Sequence, residues 1–287
     1  MSYAFVSAGT GAGGTTSLSL PFPATTVSGN LLIAVVCNKY PANAPTTPSG
    51  WTLQKQPFGG AGASGADTGS VFLSVYTKTA DGTEGGTNLS VTITAGNAAI
   101  GNIFQYSPSA AQSTFQIVAA SGTYDASAGA SWSATANADL GILTGDLVLV
   151  FSGINTDLYG YSLEAITSTG VTFGTMTERA DAVTTSGDDA AIVLAEFPVQ
   201  EARSSAAPVY TMTASGTAAS NPAGATIFLR IRELLYSATN FFGGGDPPAR
   251  QAQPSSVEFA YAVPQIKLKD YGLRKGRAKT HESPYNK

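Results

Sequence analysis

The sequence predicts an all-β protein: two tandem antiparallel β-sandwich units, jelly-roll-like, followed by an extended C-terminal arm. Three observations predict it. Apolar runs of strand length recur roughly every 8–15 residues with turn signals between them, and no long segment carries a 3.6-residue period. One strand is written twice, as Gly29-Asn-Leu-Leu-Ile-Ala-Val-Val36 and Gly145-Asp-Leu-Val-Leu-Val-Phe-Ser152. The composition suits a stiff β scaffold, with 32 glycines, 43% hydrophobic residues and only 12% charged residues, where a typical soluble domain has about 25% charged. The 287 residues are enough for two domains. The units divide as 1–110, 111–235 and the arm, 236–287.

Tyr3–Ser7 opens the first unit as a short strand. Gly9–Thr15 reads as a loop; a phosphate-binding loop would continue into Lys-Ser/Thr and a helix, and neither follows. Ser17–Phe22 alternates small polar with apolar residues, a half-buried strand ending near prolines. Leu31–Asn38 is the long strand, and its unbroken apolar run predicts burial on both faces. Tyr40–Gly50 carries Pro41, Pro45 and Pro48 and cannot be central strand. Trp51 anchors the start of the next strand, and Gly59–Gly69 is a glycine-rich connection. Val71–Thr79 and Leu89–Thr94 alternate, and Ile100–Tyr106 closes the unit.

Ser107–Thr114 is the linker, and Phe115–Val118 and Trp132–Thr135 lead into the second copy. The long strand recurs at an offset of 116 residues. Ser70–Ala80 matches Asp189–Val199, and Val91–Thr94 matches Tyr210–Thr213, both at 119. Gly50–Thr52 matches Gly174–Met176, and Gly101–Phe104 matches Ala225–Phe228, both at 124. Offsets that drift only by loop-sized steps indicate a duplication. Arg230–Leu235 either extends the last strand or starts a brief helical turn.

The remaining segment differs in kind. Gly243–Pro248 cannot be regular structure. Val257–Val263 alternates as a lone strand that includes Phe259 and Tyr261. Ile266, Lys267, Lys269, Tyr271, Arg274, Lys275 and Arg277 follow, basic and apolar together. Residues 1–233 hold 7 Lys/Arg and 15 Asp/Glu, whereas residues 234–287 hold 8 and 4. An acidic body with a basic, apolar arm predicts head-to-tail contact between subunits, with the lone strand pairing to a sheet edge.

Chemistry is sparse. The one histidine, His281, lies in the arm, which excludes a Ser-His-Asp triad or a histidine metal site in the body. The one cysteine, Cys37, rules out an intrachain disulfide and reads as a packed thiol. Glu164, Glu178, Asp181, Asp188 and Asp189 are the carboxylates of the second copy that a glycosidase-like pair could draw on. Asp188-Asp189 follows Ser186-Gly187, so these two read as exposed turn residues. Asp81, Glu84, Asp146 and Asp157 do not make a calcium loop. No catalytic residue, cofactor or metal is assigned. Trp51, Trp132, Tyr159 and Tyr161 are candidate glycan contacts, of which Tyr159 and Tyr161 lie in a Gly-flanked loop. The arm's charge alone would permit nucleic-acid contact, but docking on an acidic protein surface is the preferred reading. The N-terminus lacks signal-peptide features, and no run approaches the ~18 apolar residues of a membrane span.

The strand Gly29–Val36, the segment Pro45-Thr-Thr-Pro-Ser-Gly-Trp-Thr-Leu53 and the alternating Val71–Lys78 together resemble the β-sandwich units of tailed-bacteriophage virion proteins. The resemblance covers residues 16–233, and the second copy lacks the tryptophan. It carries over no catalytic residue. It implies a non-enzymatic structural protein of the virion, assembled in the host cytoplasm. A capsid decoration (cement) protein is expected first, and a tail or fibre component that binds host glycan second. Expected partners are the major capsid or tail protein and further copies of this chain, with a trimer as the natural guess.

Overall fold

In the computed structural model, residues 3–39, 43–60, 63, 65, 66, 68–94, 97–109, 113–122, 131–156, 161–214 and 224–235 are described, and their named elements are all β-strands in antiparallel sheets. The first copy supplies β1 (Ala4–Ala8), β2 (Ala12–Gly14), β3 (Ser17–Pro21), β4 (Leu31–Lys39), β5 (Thr52–Lys55), β6 (Phe58–Gly59), β7 (Val71–Thr79), β8 (Asn88–Thr92) and β9 (Ala99–Ser107). Its large sheet runs β1-β9-β4-β7-β5, with β2 also on β9 and β6 also on β7. The pair β3-β8 forms a separate small sheet. The second copy supplies β10 (Ser113–Ser121), β11 (Ser131–Thr135), β12 (Leu147–Ile154), β13 (Tyr161–Thr167), β14 (Val171–Phe173), β15 (Thr177–Thr184), β16 (Ala190–Ala202), β17 (Val209–Ala214) and β18 (Gly224–Leu235). Its large sheet runs β10-β18-β12-β16-β14, with β15 also on β16, and its small sheet is β11-β17-β13. Among the described residues, each sheet is drawn from one copy only.

The two large sheets lie face to face, and each small sheet covers the outer face of its own large sheet. Four layers therefore enclose three cores. In the central core Leu31, Ile33, Val35 and Cys37 of β4 pack with Leu149 and Phe151 of β12 and with Ile192 and Leu194 of β16. The alternate residues Leu32, Ala34 and Val36 face Leu18, Leu20 and Val91 of the first small sheet. On β12, Val148 and Val150 face Trp132, Tyr210 and Met212 of the second. A strand in an inner layer has no solvent face, so both strands lack polar alternation.

Backbone pairing shows the duplication residue by residue. Leu31 opposes Thr79 and Tyr106, while Leu147 opposes Pro198 and Ile231. The register shift between Leu53 and Lys55 on β5 recurs between Glu178 and Ala180 on β15. Two offsets expected at 124 are corrected to 125 by this pairing: Phe104 of β9 corresponds to Leu229, not Phe228. In a strand a one-residue slip exchanges faces. Phe104 and Leu229 both lie in the central core, whereas Phe228 lies in the outer core of the second copy.

The seam requires small residues where the copies approach most closely. Cys37 meets its own counterpart, Gly153; a Cβ at Gly153 would lie 2.9 Å from the Cys37 Sγ. A Cβ on Gly59 would lie 1.9 Å from the Gly224 carbonyl oxygen. Two local expectations change. Ala12–Gly14 is strand rather than loop, because β9 extends far enough to pair with it. Arg230–Leu235 continues β18 as strand, paired with β10 along its length. The arm, residues 236–287, lies outside the described residues, as do its nine expected contact residues from Phe259 to Arg277.

Candidate functional site

Three places gather polar chemistry: the seam between the copies, one end of that seam, and a cleft in the second copy. At the seam, Lys39 ends β4 and is fully buried. Its Nζ donates to the carbonyl oxygens of Gly65, Ala66, Asn155 and Asp189 at 2.5, 2.7, 2.8 and 2.9 Å. An ammonium has three protons, so four acceptors share them. Asn155, the counterpart of Lys39 in the second copy, donates from Nδ2 to the Gly69 carbonyl at 2.8 Å. Each copy thus holds backbone of the other through the same strand position. The adjacent Cys37 thiol is pushed up to about 12 by burial, although Lys39 pulls the other way. A thiol held protonated in a core is packing, not a nucleophile.

The two ends of the seam should match by symmetry but do not. At one end Arg179, the extra residue in the β15 bulge, pairs with Glu196 at 2.9 and 3.2 Å and lies 4.3 Å above the centre of the Phe5 ring. The Tyr106 hydroxyl donates to Glu196 at 3.3 Å. At the other end the equivalent bulge residue is Gln54, and it donates to Thr77 at 2.7 Å. Thr77 occupies the position of Glu196. The shorter side chains leave a cavity of about 350 Å³ lined by Leu31, Thr52, Thr77, Phe115 and Ile117, among others.

The cleft lies in the second copy, between β13 and β14. It is about 570 Å³ and is lined by Glu164, Ile166, Val171, Phe173, Met176 and Phe197, with Thr167, Ser168 and Thr172 among the rest. Alternation along β15 sends Ala180 and Ala182 to the seam. Glu178 and Asp181 oppose Ala195 and Val193, which belong to the second copy's own core, and so lie on the cleft side. Burial raises the Glu164 carboxyl above its ordinary range, and the Asp181 charge adds to this. Glu178 is raised by burial and by the charges of Glu164 and Asp181. The Tyr210 hydroxyl is raised by burial and by both glutamates. Glu164 is 9% exposed, and its Oε1 is buried without a hydrogen-bond partner among the described residues.

Of the five carboxylates singled out in the sequence, the fold gathers Glu164, Glu178 and Asp181. It separates Asp188 and Asp189, which serve the turn before β16: the Asp188 carboxylate accepts from Asn97 at 2.5 Å, and the Asp189 amide donates to the Ala66 carbonyl at 3.0 Å. Trp51 and Trp132 are 8% and 3% exposed, and the Trp132 Nε1 donates to Thr226 at 3.2 Å, so neither offers a face to a glycan. Tyr159 lies outside the described residues; Tyr161 begins β13 rather than a loop. Lys39 was not singled out, because a lysine after an apolar run reads as the strand leaving the core. Among the described residues no group of three or more His, Cys, Asp or Glu is placed to hold a metal ion, and no helix is long and apolar enough to cross a membrane.

Compared with protein-family models, with curated proteins and with solved structures, the chain matches none. The class it belongs to is defined by its architecture: an all-β protein of antiparallel sandwiched sheets.

Proposed function

We propose that this chain is a non-enzymatic structural component of a tailed-bacteriophage virion, a capsid decoration protein whose doubled sandwich is a stiff plate and whose basic arm straps it to neighbours. The observation that carries this reading is how the body uses its buried ionic groups. Three sets of them fasten the body to itself. Lys39 ties both copies together through four carbonyls. Arg179 and Glu196 close one end of the seam. Arg232 grips Asp146 at 2.6 and 2.8 Å and also donates to the Gly141 carbonyl at 2.8 Å, pinning the turn before β12 onto β18. Such cross-bracing suits a part that must transmit load without changing shape.

The reading assigns residues 236–287 to contact with a neighbouring subunit or capsid protein, on the strength of their alternating apolar and basic sequence. Truncation after Leu235 should leave the body folded and abolish its incorporation into particles, measured by sedimentation of assembled particles followed by immunodetection. Normal incorporation of the truncated chain would overturn the reading.

A further inference from the structure

We infer that the cleft between β13 and β14 is a binding site for a primary ammonium group carried on an apolar stem. The walls supply the stem's environment: Ile166, Val171, Phe173, Met176 and Phe197 give the cleft its apolar side, beside the polar Thr167, Ser168 and Thr172. Glu164 supplies the head's partner. Among the described residues it is the one acidic residue lining the cleft, it is nine-tenths buried, and its Oε1 has no hydrogen-bond partner. A buried carboxylate oxygen without a donor is costly, and a donor that also brings positive charge relieves both the lost hydrogen bond and the lost hydration.

Three further observations select an ammonium. Exposed Glu178 and Asp181 lie on the cleft side of β15, and the Asp181 charge acts on both Glu164 and Glu178, so this side of the second copy favours cations. The nearest arginine in sequence, Arg179, faces the seam and is held by Glu196 and Phe5, so it does not neutralise them. The acidity is also local: residues 1–110 hold 3 Lys/Arg and 3 Asp/Glu, whereas residues 111–235 hold 4 and 12. A metal ion would require several converging ligands, an arrangement not found among the described residues. One buried carboxylate in a cleft with an apolar side instead matches a single compact head with three N–H donors.

The ammonium could come from a free alkylamine or from a lysine side chain of another copy's basic segment, since Ile266-Lys-Leu-Lys269 carries such groups between apolar residues. The inference does not depend on the virion reading. The test uses the full chain titrated with hexylammonium, with 1-hexanol and hexanoate as matched controls, and with a synthetic peptide of residues 265–279. Binding is followed by amide and methyl NMR shifts of the cleft residues. Hexylammonium should bind at least tenfold more tightly than hexanol, hexanoate should not bind, and Glu164→Gln should remove that preference while leaving the spectrum of the fold intact. Peptide binding tighter than hexylammonium, lost on Lys267→Gln/Lys269→Gln, would assign the lysine source. Binding of hexylammonium alone would assign the free amine. No binding by either probe, equal binding of hexanol, or binding unchanged in Glu164→Gln would overturn the inference. Should Glu164→Gln misfold, Glu178→Gln on the cleft side of β15 must weaken hexylammonium binding severalfold; an unchanged affinity there would overturn it as well.

Discussion

Replacing Lys39 by methionine removes a charged group that hydrogen-bonds backbone of both copies. Methionine fills the volume of the aliphatic stem, so the loss is confined to hydrogen bonding rather than packing. Four carbonyls lose a donor, but not equally. The Gly65 carbonyl also accepts from the Thr68 amide at 3.4 Å, and the Ala66 carbonyl from the Asp189 amide at 3.0 Å. The loss is thus partly covered at Gly65 and Ala66, and each charge-assisted bond removed costs about 1.5–3 kcal/mol. Release of the buried ammonium from its desolvated position offsets part of this, leaving a net loss of about 3 kcal/mol. Urea denaturation measures it directly: the midpoint should fall with an unchanged m-value, since the same surface is exposed on unfolding. A loss below about 0.5 kcal/mol, the range of ordinary surface substitutions, would refute the reasoning that Lys39 fastens the seam.

Other expectations follow from single sites. Burial by itself would raise the Glu84 carboxyl, but the Lys78 ammonium at 2.8 Å, the amides of Asp81 and Gly82 and the Thr26 hydroxyl outweigh it and bring it down to about 2. Its folded value lies below its unfolded one, so its stabilisation is complete above pH 4.5 and is lost as pH falls towards 2. The difference corresponds to about 3 kcal/mol. Glu84→Gln should cost that much at pH 7 and progressively less from pH 4.5 downward, as read from urea midpoints at each pH. Installing the filled end of the seam at the open one, by Gln54→Arg with Thr77→Glu, should give a favourable coupling of about 1 kcal/mol in a double-mutant cycle; a coupling near zero would show that the cavity beside Phe115 does not accept the pair.

Much of this architecture was legible in the residues. The apolar runs in β4 and β12 announced inner strands because both of their faces are covered, one by a small sheet and one by the other copy. The partner of the second face was not legible, since a hydrophobic face carries no address. Chain offsets located the repeat to within one residue, but only backbone pairing resolved Phe104 against Leu229, because aliphatic and aromatic residues alternate on both faces of β9 and β18. The strands β13 and β15 are not legible as strands for a different reason. Glu164, Glu178 and Asp181 interrupt their alternation, and of these Glu164 lines the cleft. Local pattern thus failed where polar groups occupy positions a simple sandwich would give to apolar ones. The Lys39 clasp left no trace in pattern at all, because its acceptors are backbone carbonyls spread over residues 65–189.

The claim beneath all of this is that the copies form one mechanical body through a shared core. The chain has two tryptophans, one in each copy's outer core. Trp132→Phe leaves Trp51 to report the first copy, and Trp51→Phe leaves Trp132 to report the second. In each variant the urea transition seen by tryptophan fluorescence should coincide with that seen by far-ultraviolet circular dichroism, because neither large sheet can stay folded with its inner face uncovered. A fluorescence transition displaced from the circular dichroism transition, with one copy melting while the other persists, would contradict it.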